Sequence, residues 1–119
     1  MTNRMSDDRP YEILQNTERT GIVEVPVELI ADDYVFYSYG TSTPFFRMGD
    51  SQVLEVYEGE FNRAYEEGTL FQLTMHSLIT GHRSRLEGLD RLLEHIRSKP
   101  GVWFATHAQV AEVAKEQMR

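Results

Sequence analysis

His76 is the residue best placed to do chemistry in this chain. It ends the run Phe71-Gln72-Leu73-Thr74-Met75-His76, which reads as a short buried strand, and Gly81 with a capped helix from Ser84 follows at once. In α/β sheets the C-terminal ends of strands are where ligands and reacting side chains gather. An imidazole there can donate or accept a proton near neutral pH. The plainer reading is a histidine that bonds a backbone carbonyl at a strand end. Asp32 and Asp33 follow an apolar run and precede Tyr34, so they too can close a strand. A carboxylate beside His76 would raise its pKa and orient it, as suits a general acid. Adjacent aspartates also commonly mark a turn.

The remaining histidines carry less. His95 belongs to a helix whose Leu86, Leu89, Leu93 and Ile96, with Leu92 widening the stripe, are assigned to the core face, which sends His95 to the surface. His107 falls in the first turn of a last helix. His76 and His82 match no standard metal-ligand spacing and have no acidic residue between them, so no metal site is expected within this chain. Asp7-Asp8-Arg9 reads as a charged turn.

The elements that must hold these residues run as follows. Residues 1–20 are assigned to an N-terminal arm and 21–119 to an α/β core, together one domain. Tyr11 to Leu14 has the character of a short strand. Gly21-Ile22-Val23-Glu24-Val25-Pro26-Val27 has more of it, with Pro26 ending it or marking an edge. Leu29 to Met48 is read as a long aromatic loop, with Tyr34, Phe36, Tyr37, Tyr39, Phe45 and Phe46 packed in a core or interface. A helix capped by Asp50 or Ser51 is expected to reach about Glu67 and to stop at Gly68. Ser84-Arg85-Leu86-Glu87 has the form of a capping box, in which the Ser and Glu side chains satisfy exposed helix N–H groups. Lys99-Pro100-Gly101 ends that helix. Val102 to Ala105 reads as a brief strand, and Thr106-His107-Ala108-Gln109 repeats the capping pattern. From residue 50 onward, helices and strands alternate, which favours a parallel α/β arrangement.

Composition narrows the function classes. The chain has 119 residues with 40% hydrophobic and 26% charged, ordinary for one globular domain. A net charge of −7 argues against nucleic acid, which needs a basic face. There is no cysteine, so disulfides and thiol nucleophiles are excluded. No window approaches the roughly 20 apolar residues of a membrane-spanning helix. No membrane contact is expected, and a cytoplasmic location is.

Several blocks together resemble a known family. They are Leu73-Thr74-Met75-His76, Gly81, Arg85-Leu86, Leu92-Leu93, His95-Ile96 and Pro100-Gly101-Val102-Trp103-Phe104-Ala105-Thr106, preceded by Met5 to Tyr11, Gly21 to Val27 and Asp32-Asp33-Tyr34. They resemble the C-terminal end of polysaccharide deacetylases, the NodB-homology fold of carbohydrate esterase family 4. The nearest branch is that of peptidoglycan-deacetylase-like proteins and allantoinases. The resemblance implies a partial (β/α) barrel, the C-terminal portion only, and hydrolysis of non-peptide C–N bonds in N-acetylated sugars or cyclic amides. It implies that His76 is the general acid and Asp33 the carboxylate that tunes it. Where the family usually has proline after the histidine, this chain has Ser77. The family's metal ligands and catalytic base lie in an N-terminal half that this sequence lacks. The resemblance therefore implies a truncated hydrolase, inactive alone, with a divalent metal such as zinc bound only alongside a separately encoded N-terminal half. The alternative is a non-catalytic remnant or binding module that forms a homo-oligomer.

Overall fold

The structure, a computed structural model, describes residues 9–37 and 48–118, a mixture of helix and strand. Tyr39, Phe45, Phe46, Asp7 and Asp8 lie outside the described residues. The contacts divide the chain into two units, residues 1–26 with 103–119 and residues 27–102.

The first unit contains a hairpin of β1 (Tyr11–Gln15) and β2 (Glu18–Glu24), so residues 11–20, assigned to an arm, take part in regular structure. Asn16 and Thr17 form its turn with φ of 50° and 69°, the left-handed geometry that matches strand twist in a two-residue loop. The pairing shifts between Glu12 and Leu14, and Gly21 takes up the irregularity at φ 74°. The Glu12 carboxylate fills that gap, accepting from Gly21 N at 2.8 Å and from Arg19 Nε at 2.6 Å. The hydrogen bond from Arg19 leads in holding the Glu12 carboxyl below its ordinary value.

The Val102 to Ala105 segment is not a strand: it has no ladder partner among the described residues. The capping box that follows does form. Thr106 Oγ1 accepts from Gln109 N at 3.2 Å, and Gln109 Oε1 accepts from Thr106 N at 2.8 Å. The helix it starts, running His107–Gln117, packs on β2.

The second unit holds the principal core. A 3-10 turn (Leu29–Ala31) leads into helix α1 (Asp33–Tyr37), so the front of the expected loop is helical. Helix α2 spans Asp50–Glu67. Its N-cap is Gly49, one residue ahead of the expected start, with Gln52 Oε1 accepting from Gly49 N at 3.0 Å. Gly68 ends it in the left-handed region, its N–H reaching the carbonyls of Ala64 and Tyr65. A single-turn helix α3 (Ser77–Thr80) precedes α4 (Arg83–Arg97).

Helices α2 and α4 pack together, and the positions that bury follow helical spacing. On α2 these are Val53, Tyr57, Phe61 and Ala64. On α4 they are Leu92 and Ile96, whereas Leu86 and Leu93 are exposed. The inward face of α4 is therefore rotated within the expected stripe of Leu86, Leu89, Leu93 and Ile96 widened by Leu92, toward its Leu92 and Ile96 side. The rotation brings His95 into the α2 contact rather than to the surface. Its Nε2 lies 2.6 Å from Asn62 Oδ1, and its ring meets Phe61 edge to face at 5.7 Å.

The capping box at Ser84 does not form. Ser84 lies inside α4, whose N-cap is His82. The Ser84 hydroxyl leads in holding the Asp50 carboxyl below its usual range, assisted by Tyr37 and Arg85. Burial in turn pushes the Tyr37 hydroxyl up to about 12.

Tyr57 is 7% exposed, and its hydroxyl has no hydrogen-bond partner among the described residues. It lines a small cavity of about 30 Å3 together with Tyr37, Asp50, Leu73, Thr80 and Arg85. A buried hydroxyl left unpaired costs about 1–3 kcal/mol of desolvation. Tyr57→Phe is therefore expected to raise stability by about 1 kcal/mol. The measurement is the urea midpoint at unchanged slope. A lower midpoint would mean that a bound water satisfies the hydroxyl in solution.

Candidate active site

The segment expected to be the His76 strand forms one ladder contact among the described residues, a parallel bridge between Asp32 and Thr74. Strand structure needs neighbours to complete its hydrogen bonds, and here only the chain just before α1 supplies them. Thr74 N donates to Ala31 O at 2.8 Å, and Asp33 N donates to Thr74 O at 3.1 Å. These two bonds clamp the start of α1 against the residues that lead into His76. Asp33 and His76, 43 positions apart in sequence, meet at this clamp.

Asp33 is 0% exposed, a buried charge that requires partners. It has three. Its Oδ1 accepts from His76 Nδ1 at 2.6 Å, and its Oδ2 accepts from His76 N at 2.8 Å and from Thr80 Oγ1 at 2.6 Å. Burial opposes ionisation of Asp33, but the bonds from Thr80 and His76 override it and hold the carboxyl below its ordinary value. The same bond, outweighing desolvation, raises the His76 pKa above 6.5. Because an ionised carboxylate only accepts, Nδ1 carries the proton, and Nε2 is the nitrogen left for other chemistry. The side chain is 44% exposed, and the Tyr34 ring lies 5.9 Å from it.

Asp32 has a different part. Its Oδ1 accepts from Tyr34 N at 2.9 Å, a turn-forming bond, and stands 3.8 Å from His76 Nδ1. Of the weaker candidates, His82 caps α4 with Nε2 3.1 Å from Leu78 O, and His107 is the exposed first residue of the last helix. Neither joins His76.

No family model matches this chain. A Schizosaccharomyces pombe protein named as a polysaccharide deacetylase is 29% identical over 123 residues, covering 93% of this chain and 37% of its own length. A crystal structure from Mycobacterium smegmatis, also named as a polysaccharide deacetylase, superposes with a TM-score of 0.81 at 26% identity. By sequence and by fold, this chain is similar to polysaccharide deacetylases. The match to the Mycobacterium smegmatis structure takes in 93% of this chain and 39% of that one. The chain thus spans about two fifths of the length of these deacetylase relatives.

Asp32, Asp33 and His76 offer ligand atoms within 4.8 Å of one another, the natural place to test for the metal that a deacetylase resemblance implies. The donor set does not fit. Both Asp33 oxygens and His76 Nδ1 are committed to each other and to Thr80, and Asp32 Oδ1 holds the turn at Tyr34. A cation here would have to break the bonds that keep a fully buried carboxylate ionised. What the geometry shows is a hydrogen-bonded pair of the Asp33 carboxylate and the His76 imidazole.

Thr80 is the site residue that sequence reading passes over. It lies four positions after His76 on a helix too short to show periodicity. The only signal was Gly81, which ends the turn at a place where a Cβ would collide with the Ser77 carbonyl oxygen. Arg85 was noticed only within the capping-box segment and the resemblance, with no role of its own. It donates from Nη1 to Ile79 O at 2.6 Å and covers the Tyr37 ring at 3.8 Å.

Proposed function

We propose that this chain is the C-terminal portion of a polysaccharide deacetylase-like hydrolase, a partial (β/α) barrel in which His76 is the general acid. The supporting observation is the His76 Nδ1 to Asp33 Oδ1 bond, which leaves Nε2 on an exposed ring of raised pKa. Protonated at Nε2, such an imidazole can hand its proton to the departing nitrogen as a non-peptide C–N bond breaks. The products are then a free amine and a carboxylic acid, the hydroxyl coming from water. N-acetylated sugars and cyclic amides are the substrate classes. In this reading the catalytic base, and the divalent metal that activates the water, belong to an N-terminal half supplied from outside the matched segment. Asp33 is the positioning carboxylate.

A second reading is a non-catalytic module that self-associates. It is favoured by the exposed Leu29, Ile30, Tyr34 and Val35 around the Asp32–Thr74 bridge.

The test mixes the purified chain with zinc and the N-terminal part of the Schizosaccharomyces pombe relative, using N-acetylglucosamine oligomers as substrate. Amine release is expected only from the mixture, and His76→Gln is expected to lower it by about 10²–10⁴-fold. A stable homodimer, with no amine released from any mixture, would favour the non-catalytic reading.

A further inference from the structure

We propose that Thr80 is the positioning residue of the His76–Asp33 pair, and that α3 exists to hold its hydroxyl against the buried carboxylate. The inference rests on the general-acid reading of His76 and deepens it.

His76 supplies two of the three hydrogen bonds to Asp33, one to each oxygen. Thr80 supplies the third, from a hydroxyl whose single proton is spent on Oδ2 at 2.6 Å. The backbone closes the figure: Ile79 N and Thr80 N both donate to His76 O at 2.9 Å. His76, Thr80 and Asp33 therefore form a ring in which each member is bonded to the other two.

The ring is anchored from outside. Ile79, the neighbour of Thr80, is fully buried in the core. Its carbonyl accepts from Arg85, whose guanidinium covers Tyr37 at the far end of α1. Helix α1 is thus stapled to α3 at both ends, by Asp33 to Thr80 and by Tyr37 through Arg85 to Ile79. A carboxylate held this way has one orientation, and that orientation selects the Nδ1–H tautomer of the imidazole.

The experiment reads that tautomer in the chain itself, by long-range proton–nitrogen NMR of His76 at a pH where the ring is neutral. Wild type is expected to carry the proton on Nδ1. In Thr80→Val, which keeps the branched shape and removes the hydroxyl, the ratio of Nδ1–H to Nε2–H is expected to fall about tenfold. Thr80→Ser is expected to restore it. A folded Thr80→Val with the wild-type tautomer overturns the role of Thr80 and leaves the acid–base pair standing. A wild-type ring protonated on Nε2 overturns the pair itself. Should Thr80→Val fail to fold, Thr80→Ala is read in the same way.

Discussion

Asp33→Ala is expected to destabilise the protein by about 3 kcal/mol and to lower the His76 pKa toward its ordinary value. The first effect follows from counting donors. The substitution strands the Thr80 hydroxyl and the His76 amide, each at about 1–3 kcal/mol when buried and unpaired. The second follows because the Asp33 hydrogen bond is the main force raising the His76 pKa.

The pH dependence has a definite sign. His76 has a folded pKa above 6.5, so its contribution is complete below about pH 6.5 and is lost as pH rises through the raised value. Asp33 has a folded pKa below 3.8, so its contribution is present above about pH 3.8 and is lost as pH falls through the lowered value. The difference in unfolding free energy between wild type and Asp33→Ala should therefore be largest between about pH 4 and 6.5 and shrink on either side. Denaturant titrations across that range, with an NMR titration of His76, measure both quantities. A difference independent of pH, with an unmoved His76 pKa, would dissolve the pair.

Leu92→Ala is the second large effect. Leu92 is 1% exposed where α4 packs on α2, so truncation removes buried methyl groups and leaves a cavity, together about 2–5 kcal/mol. Native domains are stable by only about 5–15 kcal/mol, so the loss is a sizeable fraction. Leu93→Ala, one residue on and 42% exposed, is expected to cost about 1 kcal/mol or less. Chemical denaturation of the two variants side by side decides which face of α4 is the inner one. Equal losses would contradict the rotation of the helix described above.

That rotation shows where the sequence was legible and where it was not. Helix α2 was readable because its signals are local: a polar start at Asp50, apolar residues at Val53, Tyr57, Phe61 and Ala64, and glycine at its stop. The Thr106 cap was readable for the same reason, since both of its hydrogen bonds lie within four residues. Ser84 carried an equally local signal and misled, because Asp50 on another helix competes for its hydroxyl. On α4, a leucine at nearly every inward-compatible position left the face undetermined until α2 was in place. The strand character of residues 70–76 was real in composition. Strand structure, however, depends on neighbours, and only Asp32 pairs with this stretch among the described residues. His76 and Asp33 could each be named from residue type and setting. Their pairing came only through the resemblance, since 43 residues separate them and the backbone bonds that align their two segments carry no sequence signature. Thr80 was invisible for a related reason: four residues of helix are too few to display a period.

The parallel bridge at Thr74 has one further meaning. Asp32 and Asp33 are chemically identical and adjacent, yet one turns toward the Tyr34 amide while the other is sealed beneath the imidazole. Nothing in either side chain distinguishes them. What distinguishes them is register: Thr74 N on Ala31 O and Asp33 N on Thr74 O admit a single alignment of the two segments. A slip of one residue would turn every side chain in the bridge to the opposite face and exchange the two aspartates. Two amide bonds thus act as the address that sends one of two interchangeable carboxylates to the histidine.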